Sequence, residues 1–452
     1  MSKFKPWKNR SKSFCVHPWS HLAIEPNGNV IPCCHARWKN PNVKEENPTV
    51  LGNINSQSTE EIFNGKKMRD IRLSMLTGTL PENICGKCIM YEKNKTKSPR
   101  HWAFNKPYAN EITYAAAETK KDGTFENYKI KYWDLRYSNV CNMSCIMCSP
   151  TYSHKWTAEI KNIDKNLISE DARKQVAGVL VYDRDEVLAM PKKLQVKNLN
   201  WVDEGINDVE DIYFAGGEPL VMDEHWYILK KLDEMKRYDV QIKYNTNMLK
   251  LDYKGENVID YWKKWKTNKL LIECSIDETE QRAEYIRYGT DWEIVKTNIR
   301  KVIDAGIRIK PIISVACYNI HRLEDLYYEL QELFKGSADG NFDPTLNPVF
   351  TKAYSFAVWP DEYKSKFKKQ LKNLDKSLMP GVKNRLKTLV KMLESDHDRT
   401  CAINFLRKSA VLDVNRNNSI FESIPEMKVI NELYDNEYEK TQDLYKKHIK
   451  EN

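Results

Sequence analysis

No apolar run in this 452-residue sequence approaches the roughly 20 residues that cross a bilayer. Its basic N-terminus, MSKFKPWKNRSKS, lacks the apolar core of a secretion signal. A membrane partner is therefore not expected, and the chain reads as cytoplasmic. It has neither G-x-G-x-x-G nor a P-loop pattern, which removes those two nucleotide sites. There is no internal repeat, no long low-complexity tract and no evident acid–base pair. A disulfide framework also fits poorly: the eleven cysteines are an odd number, and eight fall in two groups, five within residues 15–88 and three within 141–148. In a cytosolic chain such groups read as metal or cluster ligands.

With 30% charged and 41% hydrophobic residues, the composition is that of a soluble globular protein large enough for two or three domains. The formal charge of +9 would suit an acidic partner such as nucleic acid, but Lys and Glu are mixed as on solvated helix faces, and no recognition motif appears.

The first part, to about residue 125, is rich in Pro, Asn and Gly. HLAIEPNGNVIPCC reads as a hairpin turning at Asn27-Gly28. A helix is expected from Thr59 to Leu76, with Ile62, Phe63, Met68, Ile71 and Met75 on its apolar side. From about residue 128, six strand-like runs alternate with helical ones: YKIKYWDLRYS, VEDIYFAGG, VQIKYNTN, KLLIECSID, IRIKPIISVAC and LNPVFTKAYSF. That pattern predicts an α/β fold of βα units on a parallel sheet. Six strands are too few for a closed eight-fold barrel and suit a partial one. The first connection is long, 68 positions from Cys148 to Gly216, and is expected to hold helices and an excursion over the active face. After about residue 360 the chain reads as helical, with Tyr363, Phe367, Leu371, Leu374 and Leu378 in one stripe. The expected domains are 1–125, 126–360 and 361–452.

VCNMSCIMCSP, directly after the first strand of this series, carries Cys141, Cys145 and Cys148 as C-x3-C-x2-C. Thiolates suit iron–sulfur clusters and zinc. Three of them would hold three irons of a [4Fe–4S] cubane and leave the fourth open. The second strand ends in AGGEP, whose paired glycines permit close backbone approach. In the fourth, alternation puts Glu273, Ser275 and Asp277 on one face. These motifs together resemble the radical S-adenosylmethionine (radical SAM) superfamily over roughly residues 128–360. The resemblance implies SAM on the open iron, reduced by a flavodoxin or ferredoxin, and a 5′-deoxyadenosyl radical that takes hydrogen from a substrate. It assigns Gly216, Gly217 and Glu218 to the methionine amino group, Ser275 and Asp277 to the ribose, Arg287 of EYIRYG to the carboxylate and Met147 to the adenine. Asn247 and Asn319 stand near the cofactor. The sequence departs from the family at Met147, at Met248 and at Glu278, where an aromatic residue and two glycines are usual.

The earlier cysteines, C-x12-G-x4-C…C-x2-C, resemble the family's twitch and SPASM auxiliary-cluster domains, here preceding the barrel. The resemblance implies a second [4Fe–4S] cluster on Cys15, Cys33, Cys85 and Cys88, with Cys34 an alternative to Cys33. Spacing alone equally admits a structural zinc site. His17, His21 and His35 lie nearby. Cys274 and Cys401 read as buried small hydrophobes, whereas Cys317 shares strand parity with Asn319 and could donate hydrogen to a radical. The expected substrate is a peptide or protein side chain; a small molecule such as a sugar or nucleotide, or RNA, are the alternatives, and a non-enzymatic zinc-binding protein is a further one.

Overall fold

The computed structural model describes residues 13–36, 49–93, 97–180, 182–338, 340, 342–374 and 380–449. The basic N-terminus up to residue 12 and Leu378 of the C-terminal stripe lie outside them. The chain forms two compact units: residues to Asn139 with Leu194–Tyr244, and Val140–Lys193 with the chain from Asn245 onward. Both are α/β, with mostly parallel strands.

In the first unit, β1 (His21–Ile24) and β2 (Asn29–Ile31) form the expected antiparallel hairpin. Its turn needs glycine: Gly28 has φ +84°, and a Cβ there would strike the Asn55 and Asn53 side chains. β3 (Gly52–Asn53) pairs with β2. On its other edge β1 runs parallel to β4 (Tyr132–Leu135), His21 opposite Tyr132 through Ile24 opposite Leu135. β4 continues into β5 (Asp211–Phe214), and β5 into β6 (Gln241–Thr246), again parallel. The sequence links the N-terminal hairpin to β4 only through about a hundred residues of chain, yet the two pair in register.

The helix expected over Thr59–Leu76 is two helices, Thr59–Phe63 and Lys66–Leu76. Ser58 and Glu61 close a capping box on the first. The chain breaks at Asn64-Gly65 because the Asn64 side chain is tied to the Phe125 backbone by bonds of 3.0 and 3.2 Å, and extended Gly65 caps the second helix.

In the second unit, a two-residue ribbon, β7 (Asp252–Tyr253) with β8 (Glu256–Asn257), precedes β9 (Leu270–Ser275), β10 (Ile309–Val315) and β11 (Thr345–Pro348). These last three are parallel, and β10 buries every second residue. Helices Trp292–Asp304 and Leu323–Leu333 follow β9 and β10 as βα units require. The long connection supplies three helices to this unit, His154–Asn166, Glu170–Leu180 and Arg184–Ala189. In the C-terminal stripe Phe367, Leu371 and Leu374 are buried. Helix Arg399–Arg416 is buried nearly all round, as a central helix is.

Candidate active site

The three-cysteine loop lies in the second unit and is held by its backbone. Four consecutive carbonyls each accept from a side chain. Ser153 Oγ donates to Met143 at 2.6 Å, Arg416 Nη2 to Ser144 at 2.8 Å, Trp156 Nε1 to Cys145 at 2.7 Å and the Tyr354 hydroxyl to Ile146 at 2.8 Å. Ser153 also N-caps the helix that carries Trp156, so the loop and that helix are built as one piece. From the other side, Ser144 N–H donates to the Tyr288 carbonyl and Ile146 N–H to that of Ile286, both at 2.9 Å. Gly289 follows at φ +101°, where a Cβ would press to 3.1 Å from the Asn142 carbonyl oxygen. His154 Nδ1 accepts from the Cys141 N–H at 3.1 Å.

Cys145 is buried; Cys141, Met147 and Cys148 are partly covered. Burial pushes the Cys145 thiol up, an effect the Arg287 charge opposes, and pushes Cys148 up to about 12. Arg287 Nη1 stands 3.8 Å from Cys145 Sγ and Nη2 2.8 Å from Asp277 Oδ2. Asp277 is fully buried and accepts from the Ser314 N–H at 2.6 Å, and its carbonyl accepts from Asn319 Nδ2 at 2.8 Å. The structure thus brings Cys145, Arg287, Asp277 and Asn319 into one network. Ser275 ends β9 half-buried. Asn247 donates to Asn142 Oδ1 of the cysteine loop at 2.6 Å. Met248, where the family has glycine, takes φ +60°, the left-handed backbone that glycine favours. Cys317 is fully buried with its thiol 3.9 Å from the Ala353 carbonyl.

Glu278, another departure from the family, is fully buried, and burial lifts its carboxyl to about 7 against the pull of Arg322 and Arg282. A carboxyl raised on folding stabilises the fold below its ordinary value, and that stability is lost as pH climbs through 7. The contribution is roughly 3 kcal/mol. Glu278→Gln, which mimics the protonated acid, is expected to gain stability relative to wild type between about pH 5 and about pH 8 in urea unfolding. Equal pH profiles for the two proteins would contradict this account.

In the first unit, β5 runs into AGGEP. Gly216 has φ +104°, and a Cβ there would lie 2.9 Å from the Arg136 Cα. The Gly217 N–H donates to the Ser138 carbonyl at 3.2 Å, and buried Glu218 accepts from the Leu220 N–H at 3.2 Å.

The same unit contains the other thiol group. Cys85 and Cys88 lie three apart on helix Glu82–Lys93 and so share a face. With Cys15 and Cys33 they line one cavity, walled by Ile71, Met75 and Ile84. Cys34 is not among its lining residues. Burial pushes all four thiols up, Cys15 to about 12. Arg100 reaches the cavity while paired in bidentate fashion with Glu92 at 2.6 Å. His17 and His35 also line it. His21 instead stacks on Tyr132, its Nδ1 2.9 Å from that residue's carbonyl oxygen, and burial lowers it to about 4. Among the described residues, no three His, Cys, Asp or Glu side chains converge as a single-ion site. Four soft donors around an apolar-walled cavity fit an iron–sulfur cluster, as do the three on the loop beside Arg287.

Two family models match the chain: the radical SAM superfamily over residues 135–327, and the SPASM iron–sulfur cluster-binding domain over residues 15–89. The chain carries a radical SAM domain. Its SPASM region precedes the radical SAM domain and ends just past Cys88. The radical SAM domain implies SAM and a [4Fe–4S] cluster, and the SPASM domain implies auxiliary iron–sulfur clusters. Solved structures that match include native anSMEcpe with bound AdoMet (16% identity, TM-score 0.34, over 53% of this chain and 58% of that one). Streptococcus suis SuiB bound to S-adenosylmethionine matches at 12% identity and TM-score 0.33, over 68% and 61%. The chain thus spans less than two thirds of either. No curated protein matches it. Among the described residues, no helix is long and apolar enough to cross a membrane.

Reasoning from sequence alone missed the side chains that hold the loop: Ser153, His154, Trp156, Tyr354 and Arg416. Only Trp156 left a trace, a tryptophan eight positions after the last loop cysteine.

Proposed function

We propose that Cys141, Cys145 and Cys148 hold the SAM-binding [4Fe–4S] cluster and that the enzyme takes hydrogen from a peptide or protein side chain. When bound, the cluster and SAM supply a 5′-deoxyadenosyl radical by reductive cleavage. The observation that carries the reading is the loop itself: three thiols on a backbone fixed from both sides, with a guanidinium on the middle one. The protein's part is to fix that loop, keep water from it with the buried residues 143–146, and orient the cofactor. Gly216, Gly217 and Glu218 are proposed for the methionine amino group, Ser275 and Asp277 for the ribose, Met147 for the adenine, and Asn247 and Asn319 as supports. The Asp277–Arg287 pair means that Asp277 can offer the ribose only the acceptor capacity that Arg287 and Ser314 leave.

Cys15, Cys33, Cys85 and Cys88 are proposed to close the shell of an auxiliary cluster. The cavity lining supports Cys33 over Cys34. The division into domains 1–125, 126–360 and 361–452 and a flavodoxin or ferredoxin donor belong to the same reading. The SPASM match supports the peptide or protein substrate, through the family's peptide-modifying auxiliary-cluster members.

The test is made anaerobically on reconstituted, reduced protein given SAM. About eight irons per chain and release of 5′-deoxyadenosine are expected. A colourless protein with bound zinc and no deoxyadenosine would overturn the proposal.

A further inference from the structure

We infer that Arg287 sets the reduction potential of the SAM-binding cluster by donating to the Cys145 sulfur from a seat fixed by Asp277. This rests on the assignment of Cys141, Cys145 and Cys148 to that cluster, and it gives Arg287 a role other than holding the cofactor's carboxylate.

The geometry begins with the backbone. The Ser144 and Ile146 N–H groups bond to the carbonyls of Tyr288 and Ile286, which sets residue 287 opposite residue 145. The side chain then meets Cys145 Sγ at 3.8 Å, within reach of a hydrogen bond to sulfur. It is 13% exposed, and the Asp277 side chain behind it is 0% exposed. Asp277 cannot follow a wandering guanidinium. The Ser314 N–H holds its carboxylate, and Asn319 holds its carbonyl while also bonding to the Ser314 carbonyl at 3.0 Å. If Arg287 swung away, a buried carboxylate would lose its cation, a costly state.

Hydrogen bonds to cluster sulfurs and nearby charge are levers on potential. Reduction adds negative charge to the cluster. A guanidinium on a ligand sulfur favours the reduced form and raises the potential; the carboxylate behind it acts the other way. The two residues should therefore push the potential in opposite directions when each is removed, a signature that general loosening of the fold does not give.

The experiment is a redox titration followed by electron paramagnetic resonance on the full-length reconstituted protein, without SAM. The relevant signal is identified by its change in a parallel sample given SAM. Wild type, Arg287→Lys, Arg287→Gln and Asp277→Asn are compared, and SAM affinity is read from the same spectral change. In Arg287→Gln the ratio of reduced to oxidised cluster at a fixed potential should fall about tenfold, a shift of about 59 mV to lower potential for a one-electron couple. Asp277→Asn should shift upward, and Arg287→Lys should lie between Gln and wild type. If Arg287→Gln binds no iron, Arg287→Lys decides, and a potential equal to wild type overturns the inference. Unchanged potentials with weakened SAM binding would likewise overturn it and return Arg287 to the cofactor's carboxylate. Absence of any SAM-responsive signal in wild type would instead overturn the cluster assignment itself.

Discussion

Replacing Cys141, Cys145 and Cys148 together by alanine is expected to abolish 5′-deoxyadenosine release and to leave about four irons where the wild type holds about eight. The loop should keep its path, since Ser153, Arg416, Trp156 and Tyr354 hold carbonyl oxygens and residues 286–288 hold N–H groups. None of these bonds uses a thiol. The loss therefore reports ligation and not collapse. Cys85 and Cys88 replaced by alanine form the mirror experiment: about four irons lost, from the other set, with deoxyadenosine release retained. Iron, sulfide and deoxyadenosine per chain decide both. Eight irons in the triple variant would remove the loop from the chemistry.

Arg416→Ala is expected to destabilise the protein by about 3–5 kcal/mol, the cost of stripping one partner from a buried pair. Arg416 is 3% exposed and meets Glu159 at 2.7 and 3.0 Å. Its guanidinium also lies 4.4 Å from the Tyr288 ring centroid and 5.1 Å from that of Trp156. Without it the Ser144 carbonyl, next to Cys145, loses its donor. Lysine restores the charge but not the fork that reaches carboxylate and carbonyl at once. Arg416→Lys should therefore recover only part of the loss, and Arg416→Met with Glu159→Leu more of it, because no charge is then left bare. Urea midpoints with iron retained per chain test this. A midpoint shift in Arg416→Ala worth less than about 0.5 kcal/mol would show that the clamp carries no weight.

The parts of the site legible in the sequence were local. The C-x3-C-x2-C spacing, the glycines of AGGEP and the alternation in LLIECSID are each written within a dozen residues. Five of the six strands were legible for the same reason: a period of two needs only a short window. The sixth run, LNPVFTKAYSF, is strand only from Leu346 to Pro348 and then turns through short 3-10 helices at Lys352–Tyr354 and Phe356–Val358. What escaped depends on long-range contact. Arg416 stands far down the chain from Ser144, and helix Arg399–Arg416, buried nearly all round, has no apolar stripe to announce a face. Whether Cys33 or Cys34 lines the cavity turns on the local turn, which adjacent identical residues cannot encode. The helix break at Asn64-Gly65 was hidden because the apolar positions keep their phase across it, while its cause, the tie from Asn64 to Phe125, is 61 residues away. The Arg287–Asp277 pair escapes for a different reason: taken one at a time, each residue points to the cofactor, and nothing local in the sequence ties the two together.

The pairing of β1 with β4 also bears on how the chain can be cut. β1 occupies one edge of β4 over all four of its residues, Tyr132 to Leu135, and β2 covers β1 in turn. A fragment starting near residue 126 would contain the whole matched radical SAM region, yet it would present β4 as a raw edge. Its unpaired N–H and C=O groups would then be open to a strand from another copy, the usual start of edge-to-edge aggregation. The N-terminal region is thus a protective flange as well as a holder of thiols, and the smallest well-behaved piece of this protein must keep it.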